Sequence, residues 1–110
     1  MGAFATRQVI LLPFPFSDLS ASKLRPALLL AGVDKGDWVL CQITSKPYAD
    51  ARAIALTDAD FAQGSLQLSS YARAGKLFTA HESLFQRVAG TLKAAAHQRV
   101  VDQVVALLRE

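Results

Sequence analysis

Trp38-Val39-Leu40-Cys41-Gln42-Ile43-Thr44-Ser45 alternates with a period of two, which puts Val39, Cys41 and Ile43 on one face and Trp38, Leu40, Gln42 and Thr44 on the other. That is the pattern of a strand packed on one side, so Gln42 and Thr44 should leave the main core together. Upstream, Val33-Asp34-Lys35-Gly36-Asp37 has turn composition. Leu24-Arg25-Pro26-Ala27-Leu28-Leu29-Leu30 reads as the preceding strand, with Pro26 near its start, where a missing backbone donor is tolerated. Val9-Ile10-Leu11-Leu12 is an earlier buried strand, and Pro13-Phe14-Pro15-Phe16 should stop it, because two prolines deny ladder donors and favour an extended edge. The segment 17–23 between them is small and polar, an exposed loop of the kind that borders binding sites.

Downstream, Ala53-Ile54-Ala55-Leu56 is a short strand, and Thr57-Asp58-Ala59-Asp60-Phe61 carries capping residues for a one-turn helix closed near Gly64. Leu66-Gln67-Leu68-Ser69-Ser70-Tyr71 alternates again, and Lys76-Leu77-Phe78-Thr79 follows a turn expected at Ala74-Gly75. From Leu92 to Arg109 the period changes. Ala96, Val100, Val104 and Leu108 recur every four residues, joined by Val101, Val105 and Leu107, which predicts an amphipathic C-terminal helix. Short strands followed by a terminal helix indicate an α+β architecture, a barrel with a helix.

The 110 residues suit one compact domain spanning 1–110, and an apolar share of 52% leaves ample material for a core. No apolar run approaches the roughly 20 residues needed to span a bilayer, and the N-terminus lacks a secretory pattern, so a cytoplasmic protein with no membrane partner is expected. Cys41 is the single cysteine, while His81 and His97 are far apart in sequence. No metal site or cofactor is therefore expected, and Cys41 shares the inward phase of Val39 and Ile43. The net charge of +3 favours a polyanion weakly, and the cations are scattered, so the fold must assemble any nucleic-acid surface.

Arg25 beside a strand proline is unusual core material, because a guanidinium stays charged and needs a carboxylate, a phosphate or water. Thr44 alone is an ordinary strand residue. Their surroundings are more informative together. Residues 17–28 (Ser-Asp-Leu-Ser-Ala-Ser-Lys-Leu-Arg-Pro-Ala-Leu) and Cys41-Gln42-Ile43-Thr44-Ser45-Lys46 resemble segments of the MazF/PemK-type toxins of type II toxin–antitoxin systems. Asp60-Phe61-Ala62-Gln63-Gly64-Ser65-Leu66 and the stretch from Ser69 to Thr79 resemble the segments that follow, in the same order, so the likeness covers most of the chain.

The resemblance implies an SH3-like barrel with a C-terminal helix, paired as a homodimer. It also implies a sequence-selective, metal-independent endoribonuclease acting on single-stranded RNA and neutralised by a cognate antitoxin. By the same likeness Arg25 falls on the family's catalytic arginine and Thr44 on its catalytic threonine. Those residue types suit the chemistry: when the RNA 2′-hydroxyl is the nucleophile, the protein must position the phosphate and stabilise the charge developing on it. Arg25 can grip phosphate oxygens bidentately, and the Thr44 hydroxyl can donate to another oxygen. Gln42 is a candidate to orient Thr44 or read a base edge. Lys46 and Arg73 are candidates for flanking phosphates, and Ser22 and Lys23, at the end of the polar loop, for substrate contact.

The chain departs from the family pattern twice. The Gly-Asp pair that often opens the first strand is Arg7-Gln8, and the aspartate common two residues after the later arginine is replaced by Gly75. Two other readings compete with RNA cleavage: a toxin on the same barrel that poisons DNA gyrase by binding, and an inactive relative kept as a binding or repressor component.

Overall fold

Seven strands form a single antiparallel sheet in the computed structural model, which describes residues 3–15, 22–46 and 49–110. In chain order they are β1 (Gln8–Pro15), β2 (Ser22–Gly32), β3 (Asp37–Thr44), β4 (Ala53–Leu56), β5 (Phe61–Gly64), β6 (Ser70–His81) and β7 (Arg87–Leu92), followed by the helix α1 (Ala94–Leu108). Their spatial order is β4-β6-β3-β2-β1-β7-β5, so the first three strands form the middle of the sheet and later strands extend both sides. This curled sheet with one terminal helix matches the expected α+β fold.

Paired residues of an antiparallel ladder share a face, so the register explains the packing. Val9 pairs with Leu28, Leu28 with Cys41 and Cys41 with Leu77, one apolar row across four strands. That row belongs to a core with Ile43, Leu56, Phe61 and Leu92, which Ala96 and Val100 of α1 cover. The opposite phase is also apolar. Leu29 pairs with Leu40 and Leu40 with Phe78, and these residues join Ile10, Leu12, Ala27 and Phe85 in a second core bordered by Phe4, Phe14 and Trp38. The expectation of one packed face on β3 is thus corrected: Leu40 is fully buried on the side that Gln42 and Thr44 share.

Other boundaries differ for physical reasons. β1 runs through both prolines, with Pro13 opposite Leu24 and Pro15 opposite Ser22. Pairing with β7 stops at Leu11, so the proline segment is an edge, where a lost donor is tolerated. The turn expected at Ala74-Gly75 is a disruption within one long strand, since the β3–β6 register jumps between Cys41–Leu77 and Ile43–Ala72. Residues 66–69 are loop, not strand. The one-turn helix is a 3₁₀ turn over Asp58–Asp60 with a capping box from Thr57 and Asp60, but it gives way directly to β5. Neither β5 nor β7 was expected, because both are short and glycine-interrupted. The helix agrees with its sequence period except at its end, where Leu108 is 72% exposed.

Arg7 has φ of 76°, a left-handed conformation that costs a non-glycine residue about 1–2 kcal/mol. Where the resemblance implied a glycine, this chain carries the strain of an arginine. The cation also bears on His97, whose half-buried ring has an Nδ1 atom without a partner among the described residues. Burial first, and the Arg7 charge second, hold the His97 pKa below its ordinary value. A histidine with a depressed folded pKa contributes fully above about pH 6.5, and that contribution is lost as the pH falls through the window just below. Between pH 7.5 and 5 the wild-type melting temperature should therefore drop, and His97→Gln should flatten the drop. Parallel curves for the two proteins would assign the acid sensitivity elsewhere.

Candidate active site

The β2–β3 ladder ends at Ala27 and Gln42. Continuing that register by two residues sets Arg25 across from Thr44, in the fork where the strands are no longer paired. Both residues are half-buried and both line one cleft of about 310 Å³. Pro26 and Ile43, of the other phase, line it too, because an unpaired fork is open to both faces of the sheet. Leu11 and Leu24 complete this side.

The facing wall is the segment from Ser65 to Ser70 together with Arg87 and Ala89 of β7. Its shape is built by short polar bonds. Ser65 Oγ donates to Asp58 Oδ1 at 2.6 Å and accepts from the Gln67 N–H at 2.9 Å, and Ser70 Oγ donates to the Leu68 carbonyl at 3.1 Å. Gln67 has φ of 66°, a strained conformation that such local bonds can hold. At the wall's base, Gly64 of β5 pairs with Gly90 of β7.

Thr44 Oγ1 accepts the Lys46 backbone N–H at 3.1 Å. This bond fixes the hydroxyl oxygen and uses only its acceptor capacity, leaving its hydrogen able to donate into the cleft. Arg25 brings a charge that is permanent near neutrality. A fixed neutral donor and a permanent cation at one opening can bind an oxyanion and stabilise negative charge growing on it. Among the described residues, no group of three or more His, Cys, Asp and Glu side chains is placed to hold a metal ion.

The other candidates are not gathered with this pair. Gln42 is half-buried beside Ala27 and does not line the cleft, while Lys46 contributes its backbone to Thr44 and leaves its side chain exposed. Lys23 is exposed opposite Phe14 on β1. Ser22 holds a position on β2, but its side chain, like residues 16–21, lies outside the described residues. Arg73 is elsewhere: its Nε donates to Asp50 Oδ2 at 2.9 Å, and both side chains are largely buried. They line a second cleft with Arg52, Gly75 and Lys76. The hydrogen bond from Arg73, then one from the Arg52 backbone, holds the Asp50 carboxyl below the usual carboxylate range. Gly75, the second departure from the toxin pattern, therefore stands beside a carboxylate supplied by Asp50 and outside the cleft of Arg25 and Thr44.

Cys41 is inert packing. Burial pushes its thiol up to about 12, and Sγ donates to the Arg73 carbonyl at 3.1 Å. His81 caps the short turn after β6, accepting at Nδ1 from the Ser83 N–H at 3.0 Å, and its ring is not part of the cleft. The residues missed from sequence are Arg87, Ser65 and Gln67. Their signal is weak, because β7 has no periodic pattern and the alternation over 66–71 reads the loop before β6 as a strand.

The curled antiparallel sheet with its C-terminal helix is the fold found in structures of MazF-type toxins. The MazE–MazF complex of Deinococcus radiodurans has a structure similar to this chain at a TM-score of 0.79 and 17% identity, covering 99% of this chain and 98% of that one. A mycobacterial endoribonuclease in complex with its cognate antitoxin is similar at 0.72 and 18%, covering 99% and 96%. The Mycobacterium tuberculosis toxin MazF-mt6 is similar at 0.72 and 19%, covering 94% and 97%. No family model matches the sequence, and no curated protein matches it. The relationship is thus carried by the fold.

Proposed function

We propose that this protein is the toxin of a type II toxin–antitoxin pair, a metal-independent endoribonuclease that cuts single-stranded RNA in the cytoplasm. The observation that carries this reading is the convergence of Arg25 and Thr44 on one cleft, in a fold whose named counterparts include endoribonucleases and MazF–antitoxin complexes. In the cleavage step the 2′-hydroxyl gives up its proton as its oxygen attacks the adjacent phosphorus, a new P–O bond forms, the bond to the 5′-oxygen breaks and that oxygen takes up a proton. The products are a 2′,3′-cyclic phosphate and a 5′-hydroxyl. Arg25 holds the non-bridging oxygens as charge grows on them, and the Thr44 hydroxyl donates to the same phosphate. A guanidinium is a poor general base, so electrostatic stabilisation is the role assigned to Arg25.

Under this reading, a cognate antitoxin occupies the protein when it is silent and the active form is a homodimer. The named counterparts lend no support to the gyrase reading. The inactive-relative reading loses its main motive, because Gly75 lies away from the cleft. The test is cleavage of a defined single-stranded RNA in excess chelator, with the ends mapped. Chelator-resistant cutting that leaves a cyclic phosphate is the expected result. Intact RNA beside inhibited supercoiling would transfer the function to gyrase, and intact RNA with no growth arrest would favour a binding relative.

A further inference from the structure

Arg87 is an exposed cation lining the same cleft as Arg25 and Thr44, and among the described residues its side chain makes no ion pair. Its direction follows from register. Leu11 of β1 pairs with Arg87 on one side and with Pro26 on the other, so the three share a face, and all three line the cleft. Two inter-strand spacings, roughly 10 Å, separate the Arg87 and Pro26 backbones. That distance suits a phosphate neighbouring the one at Arg25. The surface between is neither purely polar nor purely apolar. Leu24 and Leu68 line the cleft while 50% and 67% exposed, and the Ser65 and Gln67 side chains belong to its polar wall. A ligand that alternates anionic groups with flat apolar faces matches this arrangement, and a single RNA strand is such a ligand.

We propose that Arg87 is a substrate-positioning residue: it binds the phosphate of a nucleotide adjacent to the cleaved linkage and sets the register of the strand across the cleft. The proposal rests on the RNA-cleaving reading above. Arg87 acts on binding and alignment, whereas Arg25 and Thr44 touch the reacting phosphate. Lysine can keep the point charge of arginine without its bidentate fork, so Arg87→Lys should retain the salt dependence with weaker affinity.

The experiment uses an RNA with a 2′-deoxy residue at the mapped cut site, which binds without being cut. Its affinity is followed by fluorescence anisotropy over a salt series, and cleavage of the all-ribose RNA is measured in parallel. The proteins are wild type, Arg87→Ala, Arg87→Lys and, as a surface control, Arg109→Ala, each checked for an unchanged melting temperature. Arg87→Ala should weaken binding by about fivefold or more near 0.1 M salt and lower the salt slope by about one, the signature of one lost phosphate contact. KM should rise by a similar factor, with kcat within about twofold of wild type. Affinity and salt slope equal to those of Arg109→Ala would overturn the assignment of Arg87 while leaving chelator-resistant cutting, and hence the enzyme reading, intact. Wild-type protein that neither binds nor cuts RNA would remove the reading on which the assignment rests.

Discussion

With Arg25 replaced by alanine, single-turnover cleavage of RNA in excess chelator should slow by about 10²–10³-fold, the range for removing a preorganised charge-stabilising group. The reason lies in the fork beyond Ala27 and Gln42, where Arg25 and Thr44 face the same opening. Arg25→Lys should recover only part of the rate, because an ammonium cannot make the paired, planar contact of a guanidinium. Thr44→Ala should cost about a hundredfold by the same principle, and Thr44→Ser, which keeps the hydroxyl that accepts from Lys46, should stay much closer to wild type. Under the proposed function both groups act on one phosphate, so the double alanine variant should lose less than the product of the two single losses. If Arg25→Ala and Thr44→Ala both cut within twofold of wild type, the cleft is not the catalytic site.

Gly64→Ala should destabilise the fold by about 2–4 kcal/mol, adding left-handed strain to a steric shift. Gly64 has φ of 72°, and a Cβ there runs into the backbone carbonyl of Ala89 and approaches the Gly90 Cα at 2.6 Å. Backbone atoms cannot swing aside as a side-chain end can, so the β5–β7 edge must separate. For a domain of this size the loss corresponds to a fall in melting temperature of roughly 10–20 °C. The same change at Gly75 meets nothing within 4 Å and has no left-handed φ to strain, so Gly75→Ala is the matched control and should be nearly neutral. Circular-dichroism melts of the two variants decide it, and equal melting temperatures would show that the β5–β7 edge yields freely. Because that edge supports the wall bearing Arg87 and Ser65, Gly64→Ala should also weaken RNA binding before it unfolds the protein.

The two arginines of the toxin-like segments show how sequence and structure divide the site. Arg25 and Arg73 are both strand cations, and locally only the neighbouring Pro26 separates them. In three dimensions Arg25 opens onto the cleft with Thr44, whereas Arg73 is held by Asp50, a residue 23 positions away. Arg87 is the converse case. It sits in a run whose glycine and mixed polarity conceal a strand, and only pairing with Leu11 aims it at the cleft.

Local chemistry in the sequence determined the alternation of β3, the turn over Val33–Asp37, the capping at Thr57 and the four-residue period of the helix. Each depends on residues within a turn or a strand length of one another. It also marked Arg25 and Thr44, through the surroundings they share with known toxins. Tertiary structure alone decided that both faces of β3 are packed, because burial on the Leu40 side requires Leu29 and Phe78 from other strands. It alone decided that β1 continues through Pro13 and Pro15, since the pairing of that segment with β2 depends on a distant stretch of chain. The convergence of Arg25, Thr44 and Arg87 was settled there too, because strand register is a property of pairs of segments and no single segment encodes it.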